Sequence, residues 1–292
     1  MTISLRLFAI ALCAILAMSL VPVLVRLASV NETSIALVRI VCALIFLTPV
    51  ILYKKSLHNL KKSDWLGLMI VGLLFALHWW TYFYSIKASS ASMGAIALST
   101  YGIALIFLNW FFKKQPITLS NMIIVGLSFI GCLLVTPELN FSNQMTWGFT
   151  VGVISGVLYA ALPLMHQRIS HLPTMTRSWG QFAFAFLFFL SLWPQFEWPQ
   201  GSGDWWPLIT MGIVSTLIGH SLWVKASTEL PTIVTSVAYY FYIPIAMVTS
   251  FIFLGENITP TMVVGACLII GASLALVLLP WWKQRRLRRV NR

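Results

Sequence analysis

Apolar residues run along this chain in long blocks, and the polar positions between them come in short clusters. A bilayer hydrocarbon core ~30 Å thick takes about 20 apolar residues to cross as a helix. Ten blocks meet or approach that length. They predict helices at Leu5–Ser29, Ser34–Tyr53, Asp64–Ile86, Ala91–Phe112, Leu119–Thr136, Thr146–Ile169, Thr174–Trp193, Trp205–Lys225, Thr232–Leu254 and Pro260–Trp282. The connections carry turn formers, as at Asn31, Lys113–Pro116, Pro137–Asn143, Pro199–Asp204 and Gly255–Thr259, and none is long enough for a separate soluble domain. The first block outruns the apolar core of about 7–15 residues in a cleavable signal, and no small-residue cleavage site follows it, so it is expected to remain as a helix.

Landmarks recur along the blocks. Pro22 returns as Pro163, Arg39 as Arg177, His78 as His220 and Lys87 as Lys225, each about 140 residues on. Around the lysines the words Lys87-Ala88-Ser89 and Lys225-Ala226-Ser227 agree. The chain therefore reads as one unit written twice, at 1–138 and 144–282, followed by a basic tail at 283–292. Five crossings per half is an odd number, so the second half enters the membrane from the opposite side. The expected fold class is an all-α membrane protein of ten transmembrane helices, arranged as two inverted five-helix repeats about an axis in the membrane plane.

Composition fits this picture: 59% of residues are hydrophobic and 9% charged, with a mean hydropathy of +0.87. Soluble domains carry about 25% charged residues. The net charge of +12 does not point to nucleic acid, because the basic residues sit at the ends of apolar blocks. Placing the N-terminus in the cytoplasm puts all lysines and arginines except Arg26, Arg39 and Lys87 on the inner side. Positive charge collects on that side of a membrane. Both termini are thus expected in the cytoplasm, and the compact layout suggests a bacterial inner membrane. The tail reads as an anchor of this kind in preference to a lipid-headgroup patch. Cys13, Cys42, Cys132 and Cys267 lie inside apolar blocks with no metal-ligand or disulfide spacing. No metal or cofactor is expected.

Charges inside a bilayer are costly and mark candidate sites. No Asp or Glu falls near the middle of a predicted span, which weighs against a cation exporter with an intramembrane carboxylate. Arg39 lies about two turns into its helix with no acid at helical spacing; it is read as a guanidinium for a solute carboxylate or phosphate, or else as a structural arginine. Arg177, nearer its surface, takes the same two readings. His78 and His220 lie deepest, and a titrating imidazole at either would couple transport to protons. The densest aromatic word, His78-Trp79-Trp80-Thr81-Tyr82-Phe83-Tyr84, puts His78 and Tyr82 on one helix face. Tyr101, Tyr159, Trp223, Tyr239 and Tyr240 are further deep aromatics, and together these residues are expected to line one pocket. Tyr84, Trp65, Trp193, Trp205, Trp206, Trp281 and Trp282 are assigned to an aromatic belt at the interface. Gly148, Gly152 and Gly156 predict a close helix contact. Pro22 and Pro163 interrupt related helices and make them candidate gates, with Pro244 in the ninth.

These words resemble the EamA-type permeases of the drug/metabolite transporter superfamily over essentially the whole chain. The resemblance rests on Pro22, Arg39, His78-Trp79 with Tyr82-Phe83, Ile243-Pro244-Ile245, and Gly255-Glu256-Asn257-Ile258-Thr259 before Gly265 and Gly271. Two positions depart from internal symmetry: Lys114-Gln115-Pro116 stands opposite Gly255-Glu256-Asn257, and Gly102 opposite Pro244. The resemblance implies secondary transport of a small organic solute by alternating access, without enzymatic activity.

Export of an amino acid or related zwitterionic or anionic metabolite is the leading expectation. Uptake or exchange of a nucleotide-like solute, with bases stacked on tryptophans, is the alternative. The expected partners are the solute, the lipid bilayer and protons, not nucleic acid, for a monomer or homodimer.

Overall fold

The computed structural model describes residues 4–135, 144–261, 263–265, 267–268 and 270–272. These residues are helical or loop, with no strand among them. Nine helical runs follow in order: α1 Leu5–Leu27, α2 Glu32–Tyr53, α3 Lys62–Ala88, α4 Ala91–Lys113, α5 Leu119–Val135, α6 Gln144–Arg168, α7 Thr174–Ser191, α8 Gly201–Glu229 and α9 Thr232–Leu254. Seven of them, all but α5 and α7, are long and apolar enough to cross a membrane. Helix α5 has 17 residues, and α7 carries Arg177, Ser178 and Gln181. Helical residues continue at 263–265, 267–268 and 270–272; most of the predicted tenth span and the basic tail lie outside the described residues.

Helix starts are fixed by local capping, because backbone N–H groups at a helix end need acceptors. Asn31 Oδ1 accepts from Ser34 N at 3.0 Å and opens α2, and Ser90 Oγ accepts from Met93 N at 3.1 Å and opens α4. Four runs are not single α-helices: α8 winds as a π-helix over Met211–His220, and three others break. Helix α1 breaks at Ser19–Leu20, where Pro22 starts the second segment. Helix α4 breaks at Ser99. Helix α9 breaks at Tyr240–Phe241, because Pro244 has no N–H for the Tyr240 carbonyl, which accepts instead from Ile243 N at 3.1 Å. Gly102 replaces proline in the first half, yet α4 still bends there. Pro163, by contrast, sits within the unbroken α6.

The ends of α4 and α9 match in conformation despite their different sequences. Lys114 stands at φ 55°, ψ 26° and Gly255 at φ 67°, ψ 20°, both left-handed. Lysine adopts there what glycine does without steric cost.

The core is built between the halves. Helix α3 packs along α6 and α7, α2 along α7 and α8, and α1 along α8. Close approach of α6 needs Gly152: a Cβ there would stand 2.4 Å from Ser85 Oγ and 2.6 Å from Ala97 Cβ. The exterior is apolar, with Ile45, Phe107, Phe111, Leu187 and Ile252 more than half exposed. Trp193, Trp205 and Trp206 are exposed near helix ends. Trp65, assigned to the same belt from sequence, is partly buried edge-on against Trp179 and Phe184.

Two polar contacts tie loops across the halves at opposite ends of the molecule. Asp204 at the start of α8 accepts from Ser29 N at 2.7 Å and Ser29 Oγ at 2.8 Å, in the loop after α1. Asp64 at the start of α3 meets His171 Nε2 at 2.9 Å, in the loop after α6. At the Ser29 end Glu197 accepts from Asn31 N at 2.6 Å, and Lys87 donates to the Ala28 carbonyl.

Candidate functional site

A narrow central cavity of about 10 Å³, room for about one water, lies where α1, α2, α3, α4, α6, α8 and α9 converge. Arg39, His78, Trp79, Tyr82, Tyr159, His220 and Tyr239 line it, all seven of them candidates from the sequence. Met18, Phe83 and Tyr242 complete much of the wall.

Arg39 governs its electrostatics. The residue is fully buried, and its guanidinium carbon sits 4.1 Å from the Trp79 ring centroid and 5.0 Å from that of Phe83. Desolvated cation–π contacts of this kind are worth about 2 kcal/mol. Arg39 Nε donates to Thr216 Oγ1 at 3.0 Å, and Thr216 in turn donates to the Met211 carbonyl at 2.9 Å. That second bond spans five residues because Met211–His220 is a π-helix, a form that concentrates at functional sites. The two terminal nitrogens of Arg39 have no hydrogen-bond partner among the described residues. Buried donors are almost always paired, and these two are an exception. Among the described lining residues there is no carboxylate.

The rest of the wall is largely aromatic. His78 stacks on Tyr159 with centroids 4.3 Å apart and on Tyr82 at 5.8 Å. Its Nδ1 lies 2.7 Å from Ser155 Oγ and 3.2 Å from the Ser155 carbonyl. Tyr82 and Tyr242 share a hydroxyl–hydroxyl bond of 2.5 Å. His220 meets Phe75 edge-on at 5.0 Å and Trp79 at 5.5 Å.

The remaining candidates lie elsewhere. Tyr101 and Trp223 form a second layer, packed on Tyr239 at 4.6 and 5.3 Å. Tyr240 turns to Gly102, where a Cβ would stand 2.6 Å from its hydroxyl. Arg177 is not among the described lining residues: it donates to the Leu172 and His166 carbonyls and to Thr228 and Thr174 hydroxyls, at 2.8–3.4 Å. Pro22 adjoins the lining residue Val21 in the bent α1, Pro244 follows Tyr242 in α9, and Pro163 is buried in α6.

Tyr242 lines the cavity but is not among the sequence candidates. Helical spacing is the signal that finds it, since Tyr239 and Tyr242 are three apart and share a face, and their rings stack at 5.3 Å and 10°. Ser155 and Thr216 carried no such signal.

A wider cavity of about 490 Å³ opens near one end, between Ile106, Asn109 and Gln115–Ile117 on one side and Glu229–Ile233 on the other. Between it and the central cavity, by helical register, stand Tyr101, Gly102 and Leu105 of α4 with Tyr240 of α9.

Apolar helices around a buried cavity, with one bare guanidinium and a wall of phenols, define a multi-pass membrane protein. The model of the EamA-like transporter family matches residues 6–136 and 146–278, and the chain belongs to that family. It is a membrane transporter of small solutes. A protein of known crystal structure aligns with a TM-score of 0.78 over 94% of this chain and 97% of that one, at 15% sequence identity, a likeness of fold. No curated protein matches the sequence.

Proposed function

We propose that this transporter exports small carboxylate-bearing metabolites, amino acids foremost, by alternating access around the central cavity. The observation that carries the reading is the Arg39 fork: buried, stacked on Trp79, with both terminal nitrogens unpaired. A guanidinium recognises a carboxylate by two parallel hydrogen bonds. The aromatic walls then take the side chain. The nucleotide-like alternative loses ground because the lining tryptophan, Trp79, already has Arg39 over its ring.

In this reading the chain crosses a bacterial inner membrane ten times, as two inverted five-helix units with both termini in the cytoplasm. The contacts Asp204–Ser29 and Asp64–His171 support inversion, since each joins the start of a third helix to the first loop of the other half, at opposite ends. The wide cavity at Asn109 and Glu229 is then the cytoplasmic vestibule, and the Asp204 end is the closed periplasmic side.

Efflux from proteoliposomes loaded with a mixed pool of amino acids, amines and nucleosides tests the proposal. Selective loss of amino acids, abolished by Arg39→Ala, is the expected result. Efflux of amines or nucleosides alone, or amino-acid efflux untouched by Arg39→Ala, overturns it.

A further inference from the structure

The hydrogen-bonding sense of each cavity group follows from its partners. Ser155 Oγ donates its proton to the His78 carbonyl at 2.8 Å. The same oxygen lies 2.7 Å from His78 Nδ1, and the Ser155 carbonyl lies 3.2 Å from it. A carbonyl only accepts, and the hydroxyl proton is already engaged, so both contacts require the proton on Nδ1. A neutral imidazole carries one such proton, which leaves Nε2 as a lone-pair acceptor. Stacking on Tyr159 and Tyr82 within 18° of parallel holds the ring plane. A ring flip would set carbon against the Ser155 carbonyl.

The other polar groups of the wall are less defined: His220 is held there by ring contacts with Phe75 and Trp79, which fix no tautomer. Tyr82 and Tyr242 hydroxyls bind each other, and Tyr159 Oη points to Met18 Sδ at 3.7 Å. The described lining holds no carboxylate. His78 Nε2 makes no hydrogen bond to the described residues, and His78 and Arg39 line the same small cavity. The cavity thus pairs a forked donor with an acceptor whose tautomer the protein fixes, a pattern that matches the carboxylate and neighbouring ammonium of an α-amino acid.

We infer that His78 Nε2 accepts from the solute's α-ammonium while Arg39 holds its carboxylate, and that Ser155 fixes the tautomer that makes this possible. This rests on the Arg39 reading above and sharpens its substrate class: His78 is the residue that separates amino acids from their deaminated counterparts. Ser155 is a positioning residue, acting through the ring. The flanking Tyr159 and Tyr82 faces add attraction for the ammonium.

Matched solute pairs test this in proteoliposomes: leucine with 4-methyl-2-oxopentanoate, phenylalanine with 3-phenylpropanoate, and glutamate with 2-oxoglutarate. Wild-type protein is expected to prefer the amino member of whichever pair it carries. His78→Asn keeps a side-chain amide near Ser155 and withdraws the far acceptor; KM for the amino member should rise about tenfold or more while KM for its counterpart moves less than about twofold. His78→Gln, whose amide oxygen reaches the Nε2 position, should restore the preference. Ser155→Ala should weaken the preference while leaving the ring in place. Equal loss for both members of a pair in His78→Asn and His78→Gln, or unchanged KM for both, overturns the inference. Failure of the Arg39 reading is separate: it shows as transport of both members insensitive to Arg39→Ala, or of neither member by wild type.

Discussion

Arg39 and Arg177 occupy corresponding places in the two halves and have opposite surroundings. Arg177 is engaged through every nitrogen, on carbonyls and hydroxyls at 2.8–3.4 Å. Arg39 makes one hydrogen bond, from Nε, and lays its face on Trp79. Duplication accounts for the presence of both residues but not for the bare fork of one.

The contrast predicts different consequences of truncation. Arg177→Ala should lower stability by about 2–3 kcal/mol, because it strips charged hydrogen bonds from the buried Leu172 and His166 carbonyls. Arg39→Met removes one hydrogen bond, to Thr216, and the ring contact with Trp79, so melting temperature should fall less than in Arg177→Ala while carboxylate transport is lost. Thermal unfolding in detergent, run beside efflux, separates the two effects. A Tm loss in Arg39→Met equal to that in Arg177→Ala would contradict the contrast.

The Tyr82–Tyr242 bond ties α3 to α9 at the cavity wall. Each single Phe replacement should cost about 1 kcal/mol, and the double replacement little more than either single one. A double-mutant cycle on unfolding free energy that shows simple additivity would remove the bond from the account.

Two aspartates bind loops of the other half at opposite ends. Asp204→Asn should speed labelling of a cysteine placed at Val21, a lining position, by reagent added from the Ser29 side. Asp64→Asn should speed labelling from the His171 side. Right-side-out and inverted vesicles distinguish the two directions. If both variants open the same face, the inverted arrangement fails.

Lys114 holds a left-handed backbone that lysine adopts at a cost of roughly 1–2 kcal/mol. Lys114→Gly should therefore stabilise the α4 terminus by about 1 kcal/mol, less the added freedom of the unfolded chain. Chemical denaturation would register the gain, and a loss of stability would show that the lysine side chain contributes more than the strain removes.

Much of this architecture was legible in apolar block lengths, because the bilayer imposes length directly. Nine helical runs fall within a few residues of the predicted positions. The cavity was legible through rarity: Arg39, His78 and His220 stand out because polar groups at depth are scarce. Three features were hidden. The saturation of Arg177 depends on Thr228, far along the chain. Tyr240 faces Gly102 because α9 turns at Pro244, so a run of adjacent tyrosines splits between two environments. The widened turn at Met211–His220 left no periodic trace in its apolar residues.

That widened turn makes the two copies non-interchangeable. From Asp64 to His78 the chain counts fourteen residues, and from Asp204 to His220 sixteen, with the surplus absorbed by the looser winding. A chimera carrying the α3 segment in place of α8 would supply a histidine at the wrong rotation and no Thr216 beneath Arg39. The duplicated gene has thus drifted beyond self-replacement, with one copy's third helix wound to hold a charge and the other's to face it.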